Sequence, residues 1–246
     1  MTWGFFSLAH VISLVIGIAA VVGLYFVLKK QSDTVKIIDL GILSFAGIAA
    51  IIFNLITWNS PLEYLPLHLC SLNALALPLA VFTRNKVINN LLLLWSFGAL
   101  FALVLNNSVA DVEIFSDVFV FYYFPHVLEL GVPILMFALG LVKKDVRCIF
   151  STVGITFAVY SVIHFINLWI NDYAVKNNVV DWAGNVIKVN YMFSLNPENP
   201  LLALFYSIIP HSYWYMYLAI IPVVICLELV YLRDIVGLLR RRRGAK

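Results

Sequence analysis

The chain has 246 residues, of which 63% are hydrophobic and only 12% are charged, and its formal net charge is +3. Soluble domains hold about 25% charged residues, so this composition excludes an ordinary soluble globular protein. The basic residues lie between apolar runs and at the C-terminus, which gives no support to nucleic-acid binding. The three cysteines, Cys70, Cys148 and Cys226, fit neither a zinc site nor a disulfide framework.

Apolar runs of about 20 residues, long enough to cross a bilayer as helices, recur along nearly the whole chain. We therefore predict an all-α polytopic membrane helix bundle, a single domain with seven transmembrane helices. In chain order the spans are about 5–28, 37–58, 65–82, 87–105, 117–142, 146–170 and 212–235. The run at 200–209 is too short to span and predicts an interfacial or re-entrant helix. The polar stretch of about 171–199 predicts an external loop, and residues 236–246 predict a basic cytoplasmic tail.

The distribution of lysine and arginine predicts the orientation of these spans, because cytoplasmic loops carry an excess of both residues. Of the 16 basic residues, only Lys176 and Lys188 fall in loops of the opposite set. The N-terminus is therefore expected outside and the C-terminus inside, in a multi-pass protein that fits a bacterial plasma membrane. The run of four arginines at 240–243 predicts an anchor for anionic lipid headgroups.

Polar residues collect on the side of the spans that this topology makes external. All five histidines fall there, and Asn73, Glu129, Asn167 and Tyr213 lie at similar depths. Polar side chains in hydrocarbon are costly and usually face a bundle interior or a wet cavity. We therefore predict a shared polar cavity, lined by His10, His68, Asn73, His164, Asn167, His211 and Tyr213.

Helical spacing suggests which of these residues act together. Residues three apart share a helix face, as Cys70 does with Asn73 and His126 does with Glu129. His68 and Cys70 are two apart, so their direct partnership would require an irregular helix start near Pro66. A nucleophile–base pair of Cys70 and His126, with Glu129 orienting the imidazole, is the leading hypothesis.

Plainer interpretations stand beside it. A lone membrane cysteine can be a small core residue, and an intramembrane histidine can join two helices by a hydrogen bond. No His-x-x-x-His or Glu-x-x-His spacing occurs, so no metal site is predicted, and nothing in the sequence calls for a cofactor.

Several short segments resemble one family in the same order along nearly the whole chain. Leu65-Pro66-Leu67-His68-Leu69-Cys70 and Asn190-Tyr191-Met192-Phe193 are the more specific of them. Phe6 to His10, Thr83 to Lys86, Tyr123 to His126, and Trp214-Tyr215 with Glu228 agree as well. These segments are similar to the YwaF-type family of bacterial integral membrane proteins, which is related to the eukaryotic transmembrane protein 164.

This resemblance implies a chemistry. The eukaryotic relatives are described as acyltransferases that place acyl chains on ether phospholipids by means of a cysteine and a histidine. By resemblance those roles fall to Cys70 and His126 and imply a membrane phospholipid as substrate. The expected function is thus a lipid acyltransferase or acyl hydrolase.

Two other classes of function stay open on the sequence. Intramembrane His10, His126, Glu129 and His164 could relay protons in a small-molecule or proton-coupled transporter. Against this, the polar groups lie on one side of the membrane and no inverted repeat is evident. A membrane scaffold or sensor without catalytic activity is the third possibility.

Overall fold

In a computed structural model, which describes residues 2–58, 60–105, 109, 111–181 and 183–244, the chain folds into helices joined by turns and loops. Within those residues the only β pairings are isolated bridges. The helices are α1 (Leu8–Leu28), α2 (Asp33–Ser44), α3 (Ala46–Thr57), α4 (Leu69–Thr83), α5 (Lys86–Val104), α6 (Asp117–Ala138), α7 (Cys148–Asn177), α8 (Pro200–Ile208) and α9 (Ile220–Gly244). The predicted all-α class is confirmed for this part of the chain.

Local sequence explains where most of these helices begin. Ser7, Ser32 and Ser116 each accept a hydrogen bond from the backbone N–H three residues on, which satisfies an amide that the first helical turn leaves without a partner. Asn85 and Asn199 cap α5 and α8 in the same way, and Pro200 follows at the first position of α8.

Five helical segments of the described chain are long and apolar enough to cross a membrane: α1, α2 with α3, α5, α6 and α7. A sixth candidate span is present if the segments Trp214–Cys226 and Glu228–Gly237, with a bend of 50° between them, together form one span. The protein is therefore an integral, multi-pass membrane protein. The predicted total of seven spans also needs α4, which has 15 residues and a length of about 22 Å, against a hydrocarbon core of about 30 Å.

Three helices differ from the predicted spans. The second span breaks at Phe45, whose N–H bonds to the carbonyls of Ile42 and Leu43 in a tightened turn, with no proline to mark the position. α4 begins only at Leu69, so the residues around Pro66 are not helical. α7 runs to Asn177, which makes the start of the expected external loop, from residue 171, helical.

The chain separates into two compact units, Met1–Lys143 and Lys144–Lys246, and each is described by itself. In the first unit, α6 lies at the centre and contacts α1, α2, α3, α4 and α5. In the second unit, α7 contacts the turn at Tyr191–Phe193, while α8 and α9 contact the 3-10 helix Trp214–Ala219. The arginine side chains at 240–243 lie outside the described part of the chain, so the lipid anchor there stays a prediction.

Candidate functional site

Pro133 in α6 creates the polar contact that joins α6 to α4. A proline has no N–H, so the carbonyl four residues earlier, that of Glu129, lacks its helical partner. The side-chain amide of Asn73 in α4 lies against this carbonyl and donates a long hydrogen bond of 3.4 Å to it. Asn73 is fully buried, so the apolar helix α4 carries a buried amide at the point where α6 offers an unpaired acceptor.

The imidazole of His126 is held by its own helix. Its Nδ1 lies 2.6 Å from the carbonyl oxygen of Tyr122, one turn earlier. A carbonyl can only accept, so Nδ1 carries the hydrogen, and in the neutral ring Nε2 carries the lone pair. His126 is 8% exposed and its ring also lies against that of Tyr122, with centroids 4.4 Å apart. The ring is thus oriented so that Nε2 is the nitrogen that a neutral imidazole offers as a general base.

Glu129 is buried on α6, three residues after His126. Its backbone carbonyl contacts Asn73, which lies three residues after Cys70 on α4. Glu129 is 3% exposed, and one carboxyl oxygen, Oε1, faces Gly47 of α3, where an added Cβ would come within 2.9 Å of it. α3, α4 and α6 therefore surround one carboxyl with a thiol and a ring nearby.

Two oxygens in this cluster are buried without a hydrogen-bond partner among the described residues. They are Oδ1 of Asn73 and Oε2 of Glu129. Buried polar atoms in proteins are nearly always satisfied, so such atoms mark a place where a proton, a water molecule or a substrate group completes the bonding. Both oxygens belong to residues that the sequence assigned to the site.

Cys70 is the second residue of α4 and carries a free, partly buried thiol. It therefore lies at an end of an apolar helix. His68 directly precedes the helix and its carbonyl accepts from the N–H of Leu72, at 3.0 Å. The irregular start that a direct contact of His68 with Cys70 would need is thus present.

His10, in contrast, has both ring nitrogens occupied. Nδ1 accepts from the N–H of Phe6 at 3.0 Å, and Nε2 lies 2.8 Å from the carbonyl oxygen of Leu103, to which it donates. The ring is fully buried and packs edge-on against Trp3. This histidine joins the start of α1 to the end of α5, and neither of its nitrogens is left to act as a base.

The second unit collects a separate polar group on α7. His164 Nδ1 lies 3.0 Å from Oγ of Ser194, and Asn167 donates to the same Oγ at 2.9 Å and to the carbonyl of Tyr191 at 2.8 Å. The rings of His164 and Tyr213 are 4.8 Å apart. These contacts bring three of the predicted cavity residues together around Ser194.

His211 is exposed and lies at the chain bend before the 3-10 helix, outside that group. Apart from His10 and His211, the predicted residues thus lie in two groups, one in each compact unit, and a cavity shared by all five histidines stays a prediction. Among the described residues, no three His, Cys, Asp or Glu side chains lie close enough together to hold a metal ion.

Two residues of these groups were not predicted from the sequence. Gly47 of α3 lies against both Ala74 of α4 and Glu129 of α6, and a glycine in an apolar helix gives no sign of these contacts. Ser194 is fully buried between His164 and Asn167. Its position directly after the Asn190-Tyr191-Met192-Phe193 segment is the one signal that could have indicated it.

The sequence model of the TMEM164 family matches residues 5–231 of the chain. This range begins before α1, ends within α9 and includes both polar groups. No curated protein and no solved structure matches the chain.

Proposed function

The chain belongs to the TMEM164 family, and we propose that it is a cysteine-dependent acyltransferase or acyl hydrolase acting on membrane phospholipid. The observation that carries this proposal is the contact of Asn73 with the backbone of Glu129, which packs the helix that carries Cys70 against the helix that carries His126 and Glu129. Thiol, imidazole and carboxyl come from two packed helices of a membrane-embedded unit. Cys70 lies near a helix end, and the ester groups of phospholipids lie near the boundary of the hydrocarbon core, where helix ends are found.

In the first half of the reaction, Sγ of Cys70 attacks the carbonyl carbon of an acyl ester. Nε2 of His126 takes the thiol proton as the S–C bond forms, so no free thiolate has to exist in apolar surroundings. The tetrahedral intermediate then breaks its C–O bond to the lipid. The departing oxygen takes the proton from the imidazolium, which leaves a thioester on Cys70 and a lysophospholipid.

In the second half, an acceptor hydroxyl attacks the thioester. Nε2 of His126 removes its proton, the C–S bond breaks, and Sγ recovers the proton from the imidazolium. A lysophospholipid as acceptor gives acyl transfer, whereas water gives hydrolysis. The sum of the two halves uses no oxidant, reductant or cofactor.

Glu129 acts on the ring through space in this cycle rather than through a hydrogen bond to Nδ1. The backbone carbonyl of Tyr122 already holds that nitrogen, in the place where the sequence predicted the carboxylate. A carboxyl group on the next turn of the same helix stabilises the imidazolium that forms in each half of the reaction. Asn73 supports this arrangement by holding the backbone of Glu129 against α4.

The test is acyl turnover by purified protein with isotope-labelled phospholipid and lysophospholipid. Cys70→Ala is expected to abolish turnover and the hydroxylamine-sensitive acyl-protein, because no thioester can form. His126→Asn removes Nε2 but keeps a side-chain N–H for the carbonyl one turn earlier, as Asn89 and Asn90 do in α5. We expect it to lower turnover by roughly 10²–10⁴-fold, the usual contribution of a general base.

Cys226→Ala is the matched control, since it removes a partly buried thiol from α9 in the other compact unit. It is expected to retain wild-type turnover. Turnover that is unchanged in both Cys70→Ala and His126→Asn would overturn the proposal.

A further inference from the structure

The second unit contains a pocket of about 340 Å³ whose lining does not include His164, Asn167 or Ser194. It lies between the last turns of α7 and the two chain segments near residues 187–190 and 195–198. Among its lining residues are Asn171, Ile187, Lys188, Val189, Asn190 and Glu198. Its volume is at the lower end of the range for small-molecule sites, roughly 300–1,000 Å³.

The walls of this pocket are fixed by two asparagines. Asn171 exchanges two hydrogen bonds with the backbone of Val189, donating at 2.9 Å and accepting at 2.7 Å. Asn190 accepts from the N–H of Leu195 and donates to the carbonyl of Asn196. These amide groups are used within the protein and hold the pocket open before any ligand arrives.

Two side chains of opposite charge line the pocket without pairing with each other. Glu198 accepts a hydrogen bond of 2.7 Å from Asn190 through Oε1, which fixes the carboxylate. Lys188 makes no ion pair or hydrogen bond with any described residue. Exposed Val175 and partly buried Leu195 add apolar surface to the pocket lining.

We propose that this pocket binds a small zwitterion of the amino-acid class. Glu198 receives the ammonium group, Lys188 receives the anionic group, and the apolar part lies against Val175 and Leu195. A ligand with both charges satisfies two protein charges at once, whereas an ion of either sign leaves one of them facing a like charge. The same chemistry is presented by a free amino acid and by the headgroup of an aminophospholipid.

The experiment measures ligand binding to the full-length protein. Titration of the detergent-solubilised protein with L-leucine tests the free source. 4-Methylpentanoate and 3-methylbutylamine, which each lack one of the two charges, serve as ligand controls. Thermal unfolding in nanodiscs of phosphatidylethanolamine or of phosphatidylglycerol tests the lipid source.

Lys188→Gln and Glu198→Gln are the test variants. Glu198→Gln keeps a side-chain oxygen that can accept the hydrogen bond from Asn190, so the pocket wall is retained. Lys176→Gln is the matched control, because this exposed lysine is paired with Asp172 outside the pocket. Each test variant loses one charged hydrogen bond to the ligand, which corresponds to a Kd roughly tenfold higher than that of the wild type.

The wild type and Lys176→Gln are expected either to bind leucine or to be stabilised in phosphatidylethanolamine but not in phosphatidylglycerol. Both test variants are expected to show a weaker effect. The ligand is a free amino acid if leucine gives the effect, and an aminophospholipid headgroup if phosphatidylethanolamine gives it. Absence of both effects in the wild type, or an effect unchanged in Lys188→Gln, overturns the proposal. Acyl turnover does not enter the readout, so failure here is distinct from failure of the proposed reaction.

Discussion

Gly47 shows how one residue can decide the geometry of a membrane site. A Cβ at this position would lie 2.5 Å from Cβ of Ala74 and 2.9 Å from Oε1 of Glu129. Real Cβ atoms are not found at such distances, so only glycine lets α3 approach α4 this closely. Small residues of this kind let membrane helices come into backbone contact.

We therefore expect Gly47→Ala to push α3 away from α4 and to displace the carboxyl of Glu129. Overpacking of this kind costs about 1–3 kcal/mol of stability. The measurement is thermal unfolding in detergent, together with acyl turnover. Gly23→Ala in α1 is the control, since nothing lies within 4 Å of its added Cβ. Equal unfolding temperatures for the two variants would contradict the close approach of α3.

Asparagine side chains recur in this protein as substitutes for backbone partners. Asn73 donates to the carbonyl of Glu129, Asn167 bonds to both backbone groups of Tyr191, and Asn171 does the same for Val189. An amide carries a donor and an acceptor side by side, as a peptide group does. Buried asparagines therefore stabilise irregular backbone where no neighbouring helix can pair with it.

At the scale of the helix, α6 contains two prolines, Pro125 and Pro133. Helix-breaking residues are tolerated in membrane helices where neighbouring side chains satisfy the freed backbone groups. For Pro133 that neighbour is Asn73 in α4, which reaches the carbonyl of Glu129. The same contact holds the two helices that carry Cys70 and His126.

A double-mutant cycle tests this coupling between α4 and α6. Asn73→Ala is expected to cost about 1 kcal/mol in the wild type, because it leaves a buried carbonyl without a donor. In the Pro133→Ala background the cost is expected to be smaller by at least roughly 0.5 kcal/mol, since an alanine in place of the proline supplies the missing N–H. The measurement is the free energy of unfolding from denaturant titration in mixed micelles.

Asn89→Ala supplies the control for this cycle. Asn89 in α5 bonds to the carbonyls of Ala80 and Asn85, so its loss should cost the same with and without Pro133. A cost of Asn73→Ala that is equal in both backgrounds would contradict the pairing of Asn73 with the proline-freed carbonyl.

At the scale of the whole molecule, the number of membrane crossings depends on α4. The segments around Gln31 and Asp111 are separated by the α2–α3 pair, α4 and α5. If α4 crosses, the three crossings put the two segments on opposite sides of the membrane. If it does not, the two remaining crossings put them on the same side.

Single-cysteine variants in a cysteine-free background decide between these arrangements. Gln31 and Asp111 are both exposed, and the distribution of basic residues predicts Gln31 inside and Asp111 outside. We expect a membrane-impermeant maleimide to label Asp111→Cys in intact cells and Gln31→Cys only after the membrane is opened. Equal labelling of both variants would remove α4 from the spans, and reversed labelling would invert the orientation.

The sequence by itself determined the class of the protein and the approximate place of most of its helices. A membrane helix satisfies its backbone hydrogen bonds within one segment, so an apolar run and its capping residue are sufficient to locate it. The Leu-Pro-Leu-His-Leu-Cys segment likewise indicated the family, which the match over residues 5–231 confirms. The break at Phe45 was not predictable, because no proline or cap marks it.

Only the tertiary structure decided which polar side chains meet. His10 and His126 look alike in sequence, yet one has both nitrogens bonded and the other keeps Nε2. Spacing along a helix gives a shared face, but the neighbour that this face meets depends on how helices rotate and pack. That packing is set by contacts between distant residues, such as Gly47 with Ala74, which no local pattern records.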